Sequence, residues 1–220
     1  MLPDYKLLIF DWDGTLCDSI GRIVVAMHQA SRAAGYPECA DDAVKGIIGL
    51  ALPEAIRVLY PAIDEDQVLA FRAHYADAYM ALDANPSPLF EGVLESMEAF
   101  RSRGYRLAVA TGKARRGLDR VLSAHGWSEY FDITRAADET RSKPHPLMLE
   151  QIMSHCGVGP QQSLMVGDSA FDLVMARNAG MASVAVGYGA LSLDALRQHE
   201  PRLEIERFNE LRAWLDQPAR

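Results

Sequence analysis

The sequence predicts an α/β protein: a doubly wound parallel sheet with a small helical cap domain inserted after the first strand. Three observations carry this. Short, near-continuous apolar runs recur along the chain, as in parallel strands buried on both faces. Stretches with helical spacing of apolar residues separate them, the alternation that builds βαβ units. The connection from Phe10 to Arg106 is far longer than a βα crossover needs, and it too reads as helices.

In chain order, LLIF at Leu7–Phe10 is the first strand. Ser19 stands as an N-cap before Ile20, Ile23, Val24, Met27 and Ala30, a helical face that Gly35 closes. Asp41 is placed to cap a second short helix, residues 52–60 give a third, and 64–82 a longer fourth. NPSPLFEG, residues 85–92, has the turn and linker chemistry of Pro and Gly and leads back to the sheet. Residues 1–16 with 89–220 are thus expected to form the core, and 17–88 a helical cap placed like a lid. The core strands fall at 106–110, 163–166 and 183–186, with a weaker one at 130–134. Core helices are expected over 92–103, 117–125, 146–156 and 171–179. From Leu191 onward the pattern reads as a helix, a short strand at 203–205, and an amphipathic helix ending near Trp214.

The composition, 49% hydrophobic and 24% charged, is ample for a packed core and argues against disorder. The net charge of −8 repels a nucleic-acid backbone, so no nucleic-acid partner is expected, and an anionic substrate needs a local cationic site. Cys17, Cys39 and Cys156 are scattered without CxxC spacing, as reduced thiols of a cytoplasmic protein are. The first ten residues hold only four consecutive apolar residues, too few for a signal peptide. No run approaches the roughly 18 apolar residues of a spanning helix, so no membrane partner is expected. The six histidines show no clustering, and nothing distinguishes a monomer from a homodimer.

The chemistry concentrates at strand ends. In FDWDGTLCDS, residues 10–19, Asp11 and Asp13 share a side of the strand while Trp12 faces away, and Gly14 permits a tight exit. In a parallel sheet, ligands bind beyond the carboxyl ends of the strands. A calcium loop is excluded, because the glycine comes three residues after Asp11 instead of five and no Glu stands at its twelfth position. A solvated turn would explain the pair taken alone. VATGK then offers the Thr111 hydroxyl and the amides around Gly112 for phosphate oxygens. SKPHP offers Lys143, and VGDSAFD offers Asp168 and Asp172, although a helix cap by Asp168 or a surface Asp172 would fit as well.

In this order the four stretches resemble the haloacid-dehalogenase superfamily of phosphohydrolases, specifically its phosphoglycolate-phosphatase-like group with a helical cap. The resemblance covers essentially the whole chain, and DWDGTL and GDSAFD are its most specific parts. It implies a phosphatase acting on a small phosphorylated metabolite. Asp11 would be the nucleophile that forms an aspartyl-phosphate, and Asp13 the acid/base at the leaving oxygen. Mg²⁺ would be bound by Asp11, the Asp13 backbone carbonyl and Asp168, a donor set of oxygens that suits this ion. Thr111, Gly112 and Lys143 would hold the phosphoryl group, and Asp172 would orient Lys143 or a metal-bound water.

A dehalogenase of this superfamily lacks the second Asp, so Asp13 counts against it. A sugar-phosphate mutase shares all four motifs. A phospho-receiver signalling module has a comparable Asp, Thr and Lys but lacks DxDGT and needs about half this length. The core motifs address only the phosphoryl group, so discrimination among leaving groups is assigned to the cap. KGIIGL, residues 45–50, is the candidate contact: two glycines allow close approach and Lys45 faces an anionic leaving group, unless the segment is only a helix-ending turn.

Overall fold

The computed structural model describes residues 4–82 and 85–217. Six strands form one wholly parallel sheet: β1 (Leu7–Phe10), β2 (Arg106–Ala110), β3 (Ile133–Arg135), β4 (Ser163–Gly167), β5 (Ala182–Val186) and β6 (Leu203–Ile205). Their order is β3-β2-β1-β4-β5-β6, with Ile9 in register with Ala108 on one side and Met165 on the other. The run LLIF is continuous because β1 is central and both its faces are covered. Leu8 and Phe10 join one apolar layer with Met97, Phe100, Phe208 and Leu211. Leu7 and Ile9 join the opposite layer with Met148, Leu149, Ile152 and Met175.

The first layer is supplied by α5 (Val93–Ser102), α6 (Arg115–Ala124) and α10 (Asn209–Leu215), the second by α7 (Leu147–Cys156) and α8 (Ala170–Asn178). A short α9 (Leu193–Leu196) lies between β5 and β6. Between β1 and α5 come four helices: α1 (Ile20–Ala33), α2 (Asp41–Lys45), α3 (Leu52–Leu59) and α4 (Glu65–Leu82). These bury an apolar cluster of their own around Met27, Ala30, Ile56 and Phe71, where the Phe71 ring lies 5.5 Å from Tyr60 and 6.1 Å from Tyr36. The two ends of the insert run side by side. The Asp18 N–H donates to Pro88 O at 2.8 Å and the Phe90 N–H to Leu16 O at 3.0 Å.

Local structure differs from the sequence reading in several details. Ser19 occupies the N-cap position of α1 as expected, but its hydroxyl makes no cap hydrogen bond because it donates to Asp13 Oδ1 at 2.6 Å. Asp41 lies inside α2, and Ala40 occupies the cap position. Asp64 does cap α4: its Oδ1 accepts from the Gln67 N–H and its own N–H donates to Gln67 Oε1, a reciprocal pair. The weak strand starts at Ile133 instead of Tyr130, because Tyr130 and Phe131 pack on the Trp127 ring at 4.9 and 5.7 Å. Among the described residues, no helix is long and apolar enough to cross a membrane.

Phe100 is fully buried against Phe10, Phe208 and Tyr105, so Phe100→Ala is expected to cost about 3–5 kcal/mol in urea unfolding. Val58→Ala, at a side chain more than half exposed, should stay within about 0.5 kcal/mol. Equal losses for the two variants would contradict this placement of the core.

Candidate active site

The carboxyl ends of β1, β2 and β4 lie side by side, and every motif of the sequence reading sits at or near one of them. The Asp11 N–H donates to Val166 O at 3.0 Å, which carries the ladder one residue past β1. Trp12 turns into the apolar layer and meets the Trp127 ring edge-on at 6.1 Å. The chain then reverses: the Leu16 and Cys17 N–H groups donate back to Trp12 O. Gly14 is required here twice over. Its φ is +78°, and a Cβ would stand 2.0 Å from Asp168 Oδ2.

Asp11, Asp168 and Asp172 are all buried, with carboxylate oxygens within 4.8 Å of one another. Lys143 stands among them. Its Nζ donates to Asp172 Oδ1 at 2.6 Å and lies 2.9 Å from Asp11 Oδ1, out of line for a directed hydrogen bond. Asp172 is no surface carboxylate: its Oδ2 accepts from both the N–H and the hydroxyl of Ser169. Ser169, not Asp168, caps α8. Asp168 instead accepts from the Thr15 hydroxyl at 3.0 Å and the Ala190 N–H at 2.7 Å.

Three carboxylates thus lie together while one ammonium pairs with two of them, and the excess of negative charge shows in the titration of Asp11 and Asp168. Burial raises the Asp11 pKa to about 7, with Lys143 opposing and Asp172 and Asp13 adding to the rise. Asp168 is pushed well up by burial and then by Asp11 and Asp172. Burial would lower the Lys143 pKa, but Asp11 and Asp172 hold it above its usual value. Buried oxygen donors in excess of their counter-charge, with Asp11 Oδ1 lacking a directed hydrogen bond, fit a hard divalent cation.

Asp13 has a different partner, one that the sequence reading missed. Lys113 Nζ donates to both Asp13 oxygens, at 2.9 and 2.8 Å, and Ser19 adds its hydroxyl. Burial alone would lower the Lys113 pKa, yet Asp13 keeps it raised. The Lys113 ammonium also lies 5.0 Å from the ring centroid of Tyr79, a residue of α4. Lys113 belongs to the quoted VATGK, and its place two residues after Thr111 was a signal available in the sequence. Nothing local pointed to Tyr79.

Thr111 is buried at the end of β2 and accepts the Lys113 N–H on its hydroxyl. Segment 46–50 of the insert closes over this side of the crevice. A Cβ on Gly112 would stand 2.5 Å from Leu50 O and 2.6 Å from Gly49 O, and a Cβ on Gly49 would stand 2.7 Å from Ser169 Oγ. The Ala51 N–H donates to Ser142 Oγ at 2.9 Å, next to Lys143. Lys45 is more than a third exposed and lies 3.6 Å from Asp42.

Residues 8–186 match a family of haloacid dehalogenase-like hydrolases. The chain is 36% identical over 209 residues to the protein named probable phosphatase IndB of Dickeya dadantii (strain 3937), covering 93% of this chain and 91% of that one. It is 32% identical over 207 residues to a phosphoglycolate phosphatase of Vibrio vulnificus (strain YJ016), covering 90% of each. Its backbone superposes on the crystal structure of a hydrolase from Pseudomonas syringae with a TM-score of 0.89, over 98% of this chain and 100% of that one. At 23% identity this last likeness is one of fold alone. With the match running from the first strand to the fifth, through each strand end described above, the chain belongs to the haloacid dehalogenase-like hydrolase family.

Proposed function

We propose that this protein is a Mg²⁺-dependent phosphatase that hydrolyses a small phosphorylated metabolite of the phosphoglycolate type, with Asp11 as the phosphoryl acceptor. One observation carries the reading. Two carboxylates two residues apart are given separate ammonium partners, Lys143 for Asp11 and Lys113 for Asp13. Separate surroundings suit one carboxylate to attack and the other to proton transfer.

An Asp11 oxygen attacks phosphorus as the bond to the ester oxygen breaks, and the leaving oxygen takes a proton from Asp13. Water then attacks the phosphorus of the aspartyl-phosphate and gives a proton to Asp13, which frees inorganic phosphate and restores Asp11. Lys143 offsets charge where the phosphoryl group binds, and Thr111 with the amides around Gly112 orients its oxygens. Asp11, Asp168 and the Asp13 backbone carbonyl would hold Mg²⁺, which when bound neutralises carboxylate and phosphate charge together. Both oxygens of Asp172 are taken, by Lys143 and Ser169, so its part is to aim Lys143. Segment 46–50, flanked by Lys45, closes over Gly112 and Ser169 and would help exclude water from the bound ester.

A sugar-phosphate mutase of the same superfamily would use the same core groups. The two relatives are named a probable phosphatase and a phosphoglycolate phosphatase, which favours transfer to water.

Phosphate release from phosphoglycolate, sugar phosphates, nucleotides and pyrophosphate, assayed with millimolar Mg²⁺, tests the reading and ranks the substrates by kcat/KM. Asp11→Asn should abolish turnover with the fold intact, and near-normal kcat would end the aspartyl-phosphate mechanism. Asp13→Asn should lose roughly 10²–10⁴-fold on an ester with a poor leaving group. A loss below about tenfold there would give Asp13 another role. Chelation should stop phosphate release and added Mg²⁺ restore it; activity that survives exhaustive chelation would remove the metal from the account.

A further inference from the structure

Lys113 pairs with Asp13 in the steps above but is given no contact with the substrate there. Its side chain is 12% exposed, its ammonium is clasped by both Asp13 oxygens, and Tyr79 of the insert covers it with ring and hydroxyl at 5.0 and 3.5 Å. Orienting Asp13 does not need an ammonium, since the Ser19 hydroxyl already holds Oδ1 at 2.6 Å. What Lys113 adds is an ammonium at Asp13, apart from the Lys143 ammonium that pairs with Asp11 and Asp172, in a chain of net charge −8.

Its position follows from Asp13. A group that exchanges a proton with the ester oxygen stands about 2.6–3.2 Å from it, which puts an ammonium 2.8 Å from Asp13 within about 6 Å of that oxygen. A carboxylate attached one carbon beyond the ester oxygen reaches roughly 3 Å in the same space, by ordinary bond lengths. The two lysines therefore divide the substrate between them, Lys143 at the phosphoryl end and Lys113 at the leaving group.

We propose that Lys113 selects phosphate esters whose leaving group carries its own carboxylate, by passing a hydrogen bond from Asp13 to that anion. The proposal rests on the reading of Asp13 as the group acting at the leaving oxygen. Its test compares kcat/KM for 2-phosphoglycolate and 2-hydroxyethyl phosphate, which differ in a carboxylate replaced by a hydroxymethyl group. Wild type should favour the carboxylated ester roughly 10- to 100-fold, the worth of one charge-assisted hydrogen bond. Lys113→Met should lose activity on both esters through Asp13 and bring the ratio close to one, whereas Lys113→Arg should keep the preference. A wild-type ratio near one, or a ratio unchanged in Lys113→Met, overturns the proposal. The wild-type ratio needs no variant, so a Lys113→Met protein that fails to fold does not shield the idea. Failure to hydrolyse 4-nitrophenyl phosphate as well would sink the phosphatase reading; steady hydrolysis of it with a ratio near one sinks only the role of Lys113.

Discussion

The structure is organised around a buried charge imbalance: Asp11, Asp168 and Asp172 lie together, and the Lys143 ammonium pairs with Asp11 and Asp172. Burying carboxylates this way costs free energy unless counter-charge and hydrogen bonds are supplied. The surrounding chain is shaped to supply them. Ser169 satisfies one side of Asp172, Thr15 and Ala190 satisfy Asp168, and Asp11 Oδ1 is left without a directed bond. Three glycines clear the space: a Cβ on Gly14 or Gly189 would strike Asp168, and one on Gly167 would strike Asp172, each at 2.4 Å or less. What this arrangement lacks is positive charge, and a divalent cation would provide it.

The sheet explains why these groups can meet at all. β1 is central, so its carboxyl end has β2 on one side and β4 on the other, and residues more than 150 positions apart become neighbours. The helical insert leaves and returns through one paired stem beside Asp13, which brings segment 46–50 onto Gly112 and Tyr79 onto Lys113. On the proposed reading, the core addresses what all phosphate esters share and the insert lies over what distinguishes them.

Much of this was legible in the residues themselves. LLIF announced a strand buried on both faces, and the strand-end motifs brought Asp11, Asp13, Thr111, Lys143 and Asp168 to one crevice. What escaped was decided by partners distant in sequence. Ser19 has the local chemistry of a helix cap, but Asp13 competes for its hydroxyl and wins. Asp172 taken alone has the spacing of a surface residue on a helix; it was the resemblance, not local pattern, that set it beside Lys143. Lys113 stood in a stretch read for its Thr and Gly; its meaning depends on Asp13, 100 residues earlier, and on Tyr79 from the insert. Local pattern reports the element a residue sits in, not which side chain another element will bring to it.

The central claim is that these carboxylates are held short of counter-charge until a divalent cation binds. Urea unfolding at pH 5 and pH 8, in chelator and in millimolar Mg²⁺, tests it most directly for wild type and Asp168→Asn. Because Asp11 titrates near 7 in the folded chain and near 4 unfolded, the folded state holds the extra proton. Stability in chelator should therefore fall as pH rises from 5 to 8. Mg²⁺ should reverse that fall, stabilising more at pH 8, where no proton competes for the site. Asp168→Asn should be at least as stable as wild type in chelator and should lose most of the Mg²⁺ effect. No Mg²⁺ stabilisation of wild type, or an equal shift in Asp168→Asn, would contradict the account.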